Sequence, residues 1–264
     1  MKKIALLSVL SFSILFVAYS NAATTAGIKG QPSSQTTNPI ATKPSRITLR
    51  IGYYMGTLKQ TRSISWTQEV YQENAAYSVD YDAQKGNSFN AGIGYRFSTT
   101  LGVDVGLEIA SRNLGIENSG SIPNPLYFNS PRAAARSVSS RLKENVMFFN
   151  LVYSVPTGAF EFDLAAGPAF FMTTAELTNG ITFTESAYPY TTATINSQSE
   201  SQKRNSFGFN IGTNLNYYFS RGVAFSIGVR YLSGKSTYAT SSGTPSVNFG
   251  LGGLRLGGGL KFFF

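Results

Sequence analysis

RITLRIGYYMG, residues 46–56, alternates with a period of two: Ile47, Leu49, Ile51, Tyr53 and Met55 share one parity, and Thr48, Arg50, Gly52, Tyr54 and Gly56 the other. Successive side chains on a strand point to opposite faces, so this is a strand with one apolar face and one that holds a charge. Arg50 is the decisive residue. A water-soluble barrel would turn the apolar face inward, whereas a barrel set in lipid turns it outward and lines its interior with the polar face.

Seven more segments repeat the pattern. NSFNAGIGYRFS (87–98) sets Phe89, Ala91, Ile93, Tyr95 and Phe97 against Asn90, Gly92, Gly94 and Arg96. LGVDVGLEIASR sets Leu101 to Ile109 against Asp104, Glu108 and Arg112, and AFEFDLAAGPAFF sets Phe160, Phe162 and Leu164 against Glu161 and Asp163. In ENVMFFNLVYSV the outer set is Met147, Phe149, Leu151, Tyr153 and Val155; in NSFGFNIGTNLNYYF it includes Phe207, Phe209, Ile211 and Leu215. VAFSIGVRYL alternates Phe225 and Ile227 with Ser226 and Arg230, and the terminal segment alternates Leu254, Leu256, Leu260, Phe262 and Phe264 with Arg255 and Lys261. Upstream of the last segment, Val247, Phe249 and Leu251 have the opposite parity, which predicts a bulge near Gly252 and Gly253.

Arg50, Arg96, Asp104, Glu108, Glu161, Asp163, Arg230 and Arg255 all fall on the inner parity. A basic residue facing lipid near the bilayer midplane costs about 2–4 kcal/mol, and slipping a strand by one residue exchanges its faces, so the consistent solution puts the apolar set in lipid. A lipocalin-like soluble barrel would instead expose an apolar belt of a size that soluble monomers avoid. The connections agree. STT (98–100), PTG (156–158) and SRG (220–222) are short and alternate with long stretches at roughly 57–86, 113–142, 173–204 and 232–246. The expected fold is all-β, an eight-stranded antiparallel up-and-down transmembrane β-barrel over residues 46–264, with short periplasmic turns and long extracellular loops.

Composition and the first residues fit export. Charged residues are 13% of the 264, roughly half the usual share. Residues 1–22, MKKIALLSVLSFSILFVAYSNA, have two lysines, an apolar run and small residues before Ala23, and read as a signal peptide. Removing Lys2 and Lys3 takes the formal charge from +9 to +7 (9 − 2), and no motif concentrates the remainder for nucleic acid. Residues 23–45, rich in Thr, Ser and Pro, read as a flexible leader. The sequence has no cysteine, so no disulfide supports the fold.

With its eight segments, its asymmetry of turns and loops, and its LGGGLKFFF terminus, the chain resembles the small outer-membrane β-barrel group of OmpA transmembrane domains, OmpX and opacity proteins. The resemblance implies an outer-membrane location in a Gram-negative-type bacterium after Sec export. It also implies that Leu260, Phe262 and Phe264 form the signal read by the barrel-assembly machinery. Barrel enzymes of that membrane, such as lipid A deacylase, palmitoyl transferase, outer-membrane phospholipase and omptin proteases, use a histidine as base or base partner. This sequence has none.

Without histidine or cysteine the usual metal-ligand sets and nucleophilic dyads are missing, so no enzyme activity, cofactor or metal is expected. The inward charges are expected to pair as an interior network, because an unpaired buried charge costs several kcal/mol, and an eight-stranded interior is just wide enough for side chains to fill. The alternative is a narrow channel or transporter for small solutes. In the second long loop Arg132, Arg136, Arg141 and adjoining Lys143 suggest a patch for the phosphates of lipopolysaccharide or for a sulfated host polysaccharide. The expected partners are outer-membrane lipid, the assembly machinery and an extracellular or host surface met by the loops; the barrel is expected to be a monomer.

Overall fold

The computed structural model describes residues 46–239 and 245–264; the expected signal peptide (1–22) and leader (23–45) lie outside the described residues. Ten antiparallel strands form one sheet: β1 (Ile47–Gly56), β2 (Gln60–Val70), β3 (Glu73–Ala83), β4 (Asn87–Arg96), β5 (Leu101–Ile122), β6 (Arg132–Thr157), β7 (Phe160–Glu185), β8 (Ala193–Tyr218), β9 (Val223–Tyr238) and β10 (Val247–Phe263). Eight of them close a ring in the order β1-β10-β9-β8-β7-β6-β5-β4, and β4 pairs back onto β1. The first and last strands meet where Ile47 and Phe264 exchange main-chain hydrogen bonds of 3.3 and 2.9 Å. Both strand ends therefore sit at the rim that carries the short turns, one of which uses Gly158 at φ +62°.

The lower ring has the expected faces. Ile51, Ile93, Val105, Phe149, Leu151, Leu215, Phe225, Ile227 and Leu256 are exposed on the outer wall, while Arg50, Asp104, Asn150, Asp163 and Arg230 are buried inside. Pro168 shows its missing donor locally: the β6–β7 ladder skips the two pairs opposite Pro168 and Gly167, then resumes in the same register.

Above this belt the rule reverses on the same strands. On β5 the inward positions change from Asp104 and Glu108 to Leu114 and Ile116, both buried, while the outward positions change to Ser111, Asn113 and Glu117. Val79, Tyr81, Leu114, Ile116, Leu142, Leu177, Tyr238, Val247 and Phe249 make one buried core there. Each fully buried Leu, Val or Phe contributes about 1.5–3 kcal/mol relative to exposure, so this half is held as a soluble β-protein is held.

Two expectations are corrected by that reversal. No bulge is present at Gly252 and Gly253: the β9–β10 register runs unbroken through both, and Val247, Phe249 and Leu251 face inward into the upper core. The glycines instead adopt φ of +81° and +97°, and a Cβ on Gly253 would stand 2.6 Å from Cβ of Leu58, where the chain crosses from β1 to β2. The second correction concerns the long loops. Residues 113–142 and 173–204 are mostly continuations of β5 to β8, and 57–86 contains the β2–β3 hairpin, which adds to the upper part of β5. The hairpin turns on Tyr71 and Gln72, both at positive φ, in place of the Asn-Gly pair that normally marks such a turn.

Candidate functional site

The interior charges stack in tiers from the short-turn rim upward. In the lowest tier Lys261 Nζ lies 2.9 Å from Glu161 and 2.6 Å from Asp163, Arg96 pairs with Glu161, and the Tyr218 hydroxyl donates to Glu161 at 2.6 Å. Next, Arg50 reaches Asp104 at 2.8 Å, with Asn150 donating to the same carboxylate. Glycine makes the room: a Cβ on Gly92 would crowd both partners at 3.2–3.3 Å. Higher still, Glu108 meets Arg255 and, at 3.4 Å, Arg230; Glu144 then joins Arg112 and, at 3.0 Å, Arg255.

These tiers hold six cations (Arg50, Arg96, Arg112, Arg230, Arg255, Lys261) and five anions (Asp104, Glu108, Glu144, Glu161, Asp163), a difference of one. Arg230 is the cation with the weakest carboxylate contact, and aromatic faces support it: its guanidinium carbon is 4.3 Å from the Phe148 ring centre and 5.5 Å from that of Tyr54. All eight of the inward charges read from the sequence occur in this stack. Glu144 was missed, although it shares parity with inward Val146 and Phe148.

A polar cavity of about 30 Å³, lined by Arg50, Arg96, Asp104, Ser154, Asp163 and Lys261, has room for one or two waters. Beside the upper tiers Phe148, Phe171, Leu232 and Leu251 pack together, and farther from the short-turn rim sits the larger apolar core. Burial raises the pKa of the Tyr77 and Tyr238 phenols in that upper region, so both remain neutral. Among the described residues no group of three acidic, histidine or cysteine side chains converges as a metal site.

The predicted anion patch does not form one surface. Arg132 is buried and works as a tie: it pairs with Glu185, and it donates to the carbonyls of Tyr190 at 2.8 Å and Pro123 at 2.6 Å. Glu185 also accepts from the Tyr71 hydroxyl at 3.0 Å, so three loops are stitched together. Arg132→Ala is expected to cost about 1–3 kcal/mol locally by stranding these acceptors. Limited proteolysis should then cut between residues 123 and 131 or between 186 and 192 much faster, with the lower barrel intact; unchanged cutting would refute the tie. Arg136 is exposed near the top, on the inward parity, whereas Arg141 and Lys143 stand on the outer wall. Of the proposed assembly signal, Leu260 and Phe262 lie half-buried on the outer parity and Phe264 is 70% exposed at the rim.

No family model matches the sequence, and no curated protein does. The chain is similar to several solved structures: the outer membrane protein OprG from Pseudomonas aeruginosa is 13% identical, with 84% of this chain and 97% of that one covered and a TM-score of 0.48. Neisserial surface protein A is 12% identical, over 84% of this chain and all of the other, at 0.44. The outer membrane protease OmpT from Escherichia coli is 10% identical, over 84% and 97%, at 0.43. At such identities and scores these likenesses carry nothing about role, which has to come from the residues themselves.

Proposed function

We propose that this chain is an outer-membrane β-barrel without enzymatic activity, whose role is structural or one of surface interaction. The exposed belt on the lower wall supports insertion in lipid, since ring after ring of Leu, Ile, Val and Phe faces outward there. The observation that carries the role is the double closure of the interior. Paired charges fill the lower half, and the upper core of Tyr81, Leu114, Leu142, Tyr238 and Phe249 is packed without exposure. A solute path would have to break both.

What remains available for contact is the crown, where Leu126, Tyr127, Phe128 and Tyr188 are exposed on connections braced by Arg132. Rigidly mounted tyrosines give large contact area at small entropic cost, which suits recognition of an extracellular surface. Lipid and lipopolysaccharide are the partners of the lower wall, the barrel-assembly machinery is the partner of the Phe264 end, and the barrel is a monomer.

Two measurements test the reading. The purified protein should migrate faster on a detergent gel before boiling than after, and in planar bilayers it should give no defined conductance steps. Unitary steps would replace this role with that of a narrow channel. A mobility indifferent to heating would count against the membrane barrel itself.

A further inference from the structure

The outer wall of β6, β7 and β8 carries a graded strip just above the apolar belt. The register places Met147, Phe170 and Phe207 side by side on three neighbouring strands. Asn145, Met172 and Asn205 form the next row up, and Lys143, Thr174 and Lys203 the row above that. Phe170 and Phe207 touch, with ring centres 5.1 Å apart, and Phe207 is 81% exposed. Neighbouring strands lie about 4.8 Å apart, so the two lysines flank Thr174 at a Cα separation of about 10 Å. Arg141 is exposed two residues beyond Lys143, about 7 Å farther along the strand.

Neither lysine has an ion-pair partner among the described residues; Glu176, exposed on the same outer wall one row above Thr174 and beside Arg141, accepts from Ser140 at 3.2 Å. The strip therefore offers, in ascending order, an apolar surface, two carboxamides and two unpaired ammonium groups. Resting on the outer-membrane reading above, we propose that it binds one phosphorylated glycolipid of the outer leaflet, of the lipid A type. Acyl chains lie on Met147, Phe170 and Phe207. The sugar hydroxyls meet Asn145 and Asn205, and a phosphate sits between Lys143 and Lys203 with Arg141 above it. The order of chemistries along the strip is the order along such a lipid, and Lys143, Lys203 and Arg141 outnumber the one acid beside them, Glu176, so the net charge is complementary to a phosphate. The strip is also continuous with the lipid-facing wall.

The test is native mass spectrometry of the full chain in detergent, titrated with bisphosphorylated lipid A, with its dephosphorylated form or with phosphatidylglycerol. Lys143→Glu with Lys203→Glu should weaken retention of the bisphosphorylated lipid about tenfold. Lys85→Glu with Arg136→Glu makes the same change in net charge at exposed positions away from the strip and should leave retention unchanged. The dephosphorylated lipid should bind weakly to the unmodified chain and be indifferent to the variants. Equal retention by both double variants overturns the site, as does an unmodified chain that holds phosphatidylglycerol as tightly as lipid A. The heat-dependent gel shift is read on every variant: its loss in the unmodified chain would refute the membrane reading, whereas its persistence with unchanged lipid retention would refute only this site. Asn145→Leu with Asn205→Leu, which keeps every charge, should weaken lipid A retention but not phosphatidylglycerol retention.

Discussion

Replacing Glu108 by Ala should destabilise the barrel by about 3–5 kcal/mol, the range for removing one member of a buried ion network. Glu108 is fully buried, and it is the carboxylate that both Arg255 and Arg230 approach. Without it Arg255 keeps Glu144, but Arg230 keeps only the faces of Phe148 and Tyr54. The interior imbalance would rise from one excess cation to two. Urea unfolding from lipid vesicles, followed by tryptophan fluorescence of Trp66 together with the gel shift, measures the loss. Two comparisons give the result its meaning. Glu117→Ala, on the outward face above the belt, should cost within about 0.5 kcal/mol. Arg50→Met combined with Asp104→Leu removes both ends of the 2.8 Å pair and should cost much less than Asp104→Ala alone, because no charge is stranded. If Glu108→Ala behaves like Glu117→Ala, the tiers do not hold the barrel together.

Val105→Arg should cost about 2–4 kcal/mol in a bilayer, and Ser139→Arg about 0–1. Val105 is exposed on the outer wall midway along the lipid-facing part of β5, with Ile93 and Phe149 as its cross-strand neighbours. Ser139 is exposed on β6 above the apolar rows. Folding yield into vesicles and the unfolding midpoint report the difference. Were the apolar face packed inside in water, Val105→Arg would be fatal in any medium and would not depend on bilayer thickness. A penalty that shrinks in thinner bilayers supports lipid contact, and equal penalties at the two positions would contradict it.

Much of the lower barrel was readable because a period of two, marked by charges, has a single lipid-compatible solution, and every charge assigned inward on that basis occupies the interior. The errors come from extending one rule too far. Assuming that apolar means outward along all of β10 required a bulge, whereas Phe249 and Leu251 simply enter a different solvent regime. The same assumption turned strand continuations into loops, because polar outward residues such as Ser137, Ser139 and Asn113 looked like coil. Within 57–86 the alternation of Tyr77, Val79, Tyr81 and Ala83 was visible in principle. The turn before it was not, since Tyr71 and Gln72 carry none of the usual markers of left-handed backbone. The basic patch divides for a tertiary reason: only the packed crown shows that Arg132 is consumed by Glu185, and only strand pairing brings Lys203 to within two strands of Lys143.

The change of face between Glu108 and Leu114 on β5, and between Lys143 and Met147 on β6, works as a depth gauge. Sinking the molecule by one row would drag lysines into hydrocarbon, and lifting it would wet Phe207 and Ile109, so its height is set from within the wall and needs no separate anchor. A membrane thinner or thicker than the belt must deform around it, and the protein thereby selects which patch of membrane it occupies most comfortably.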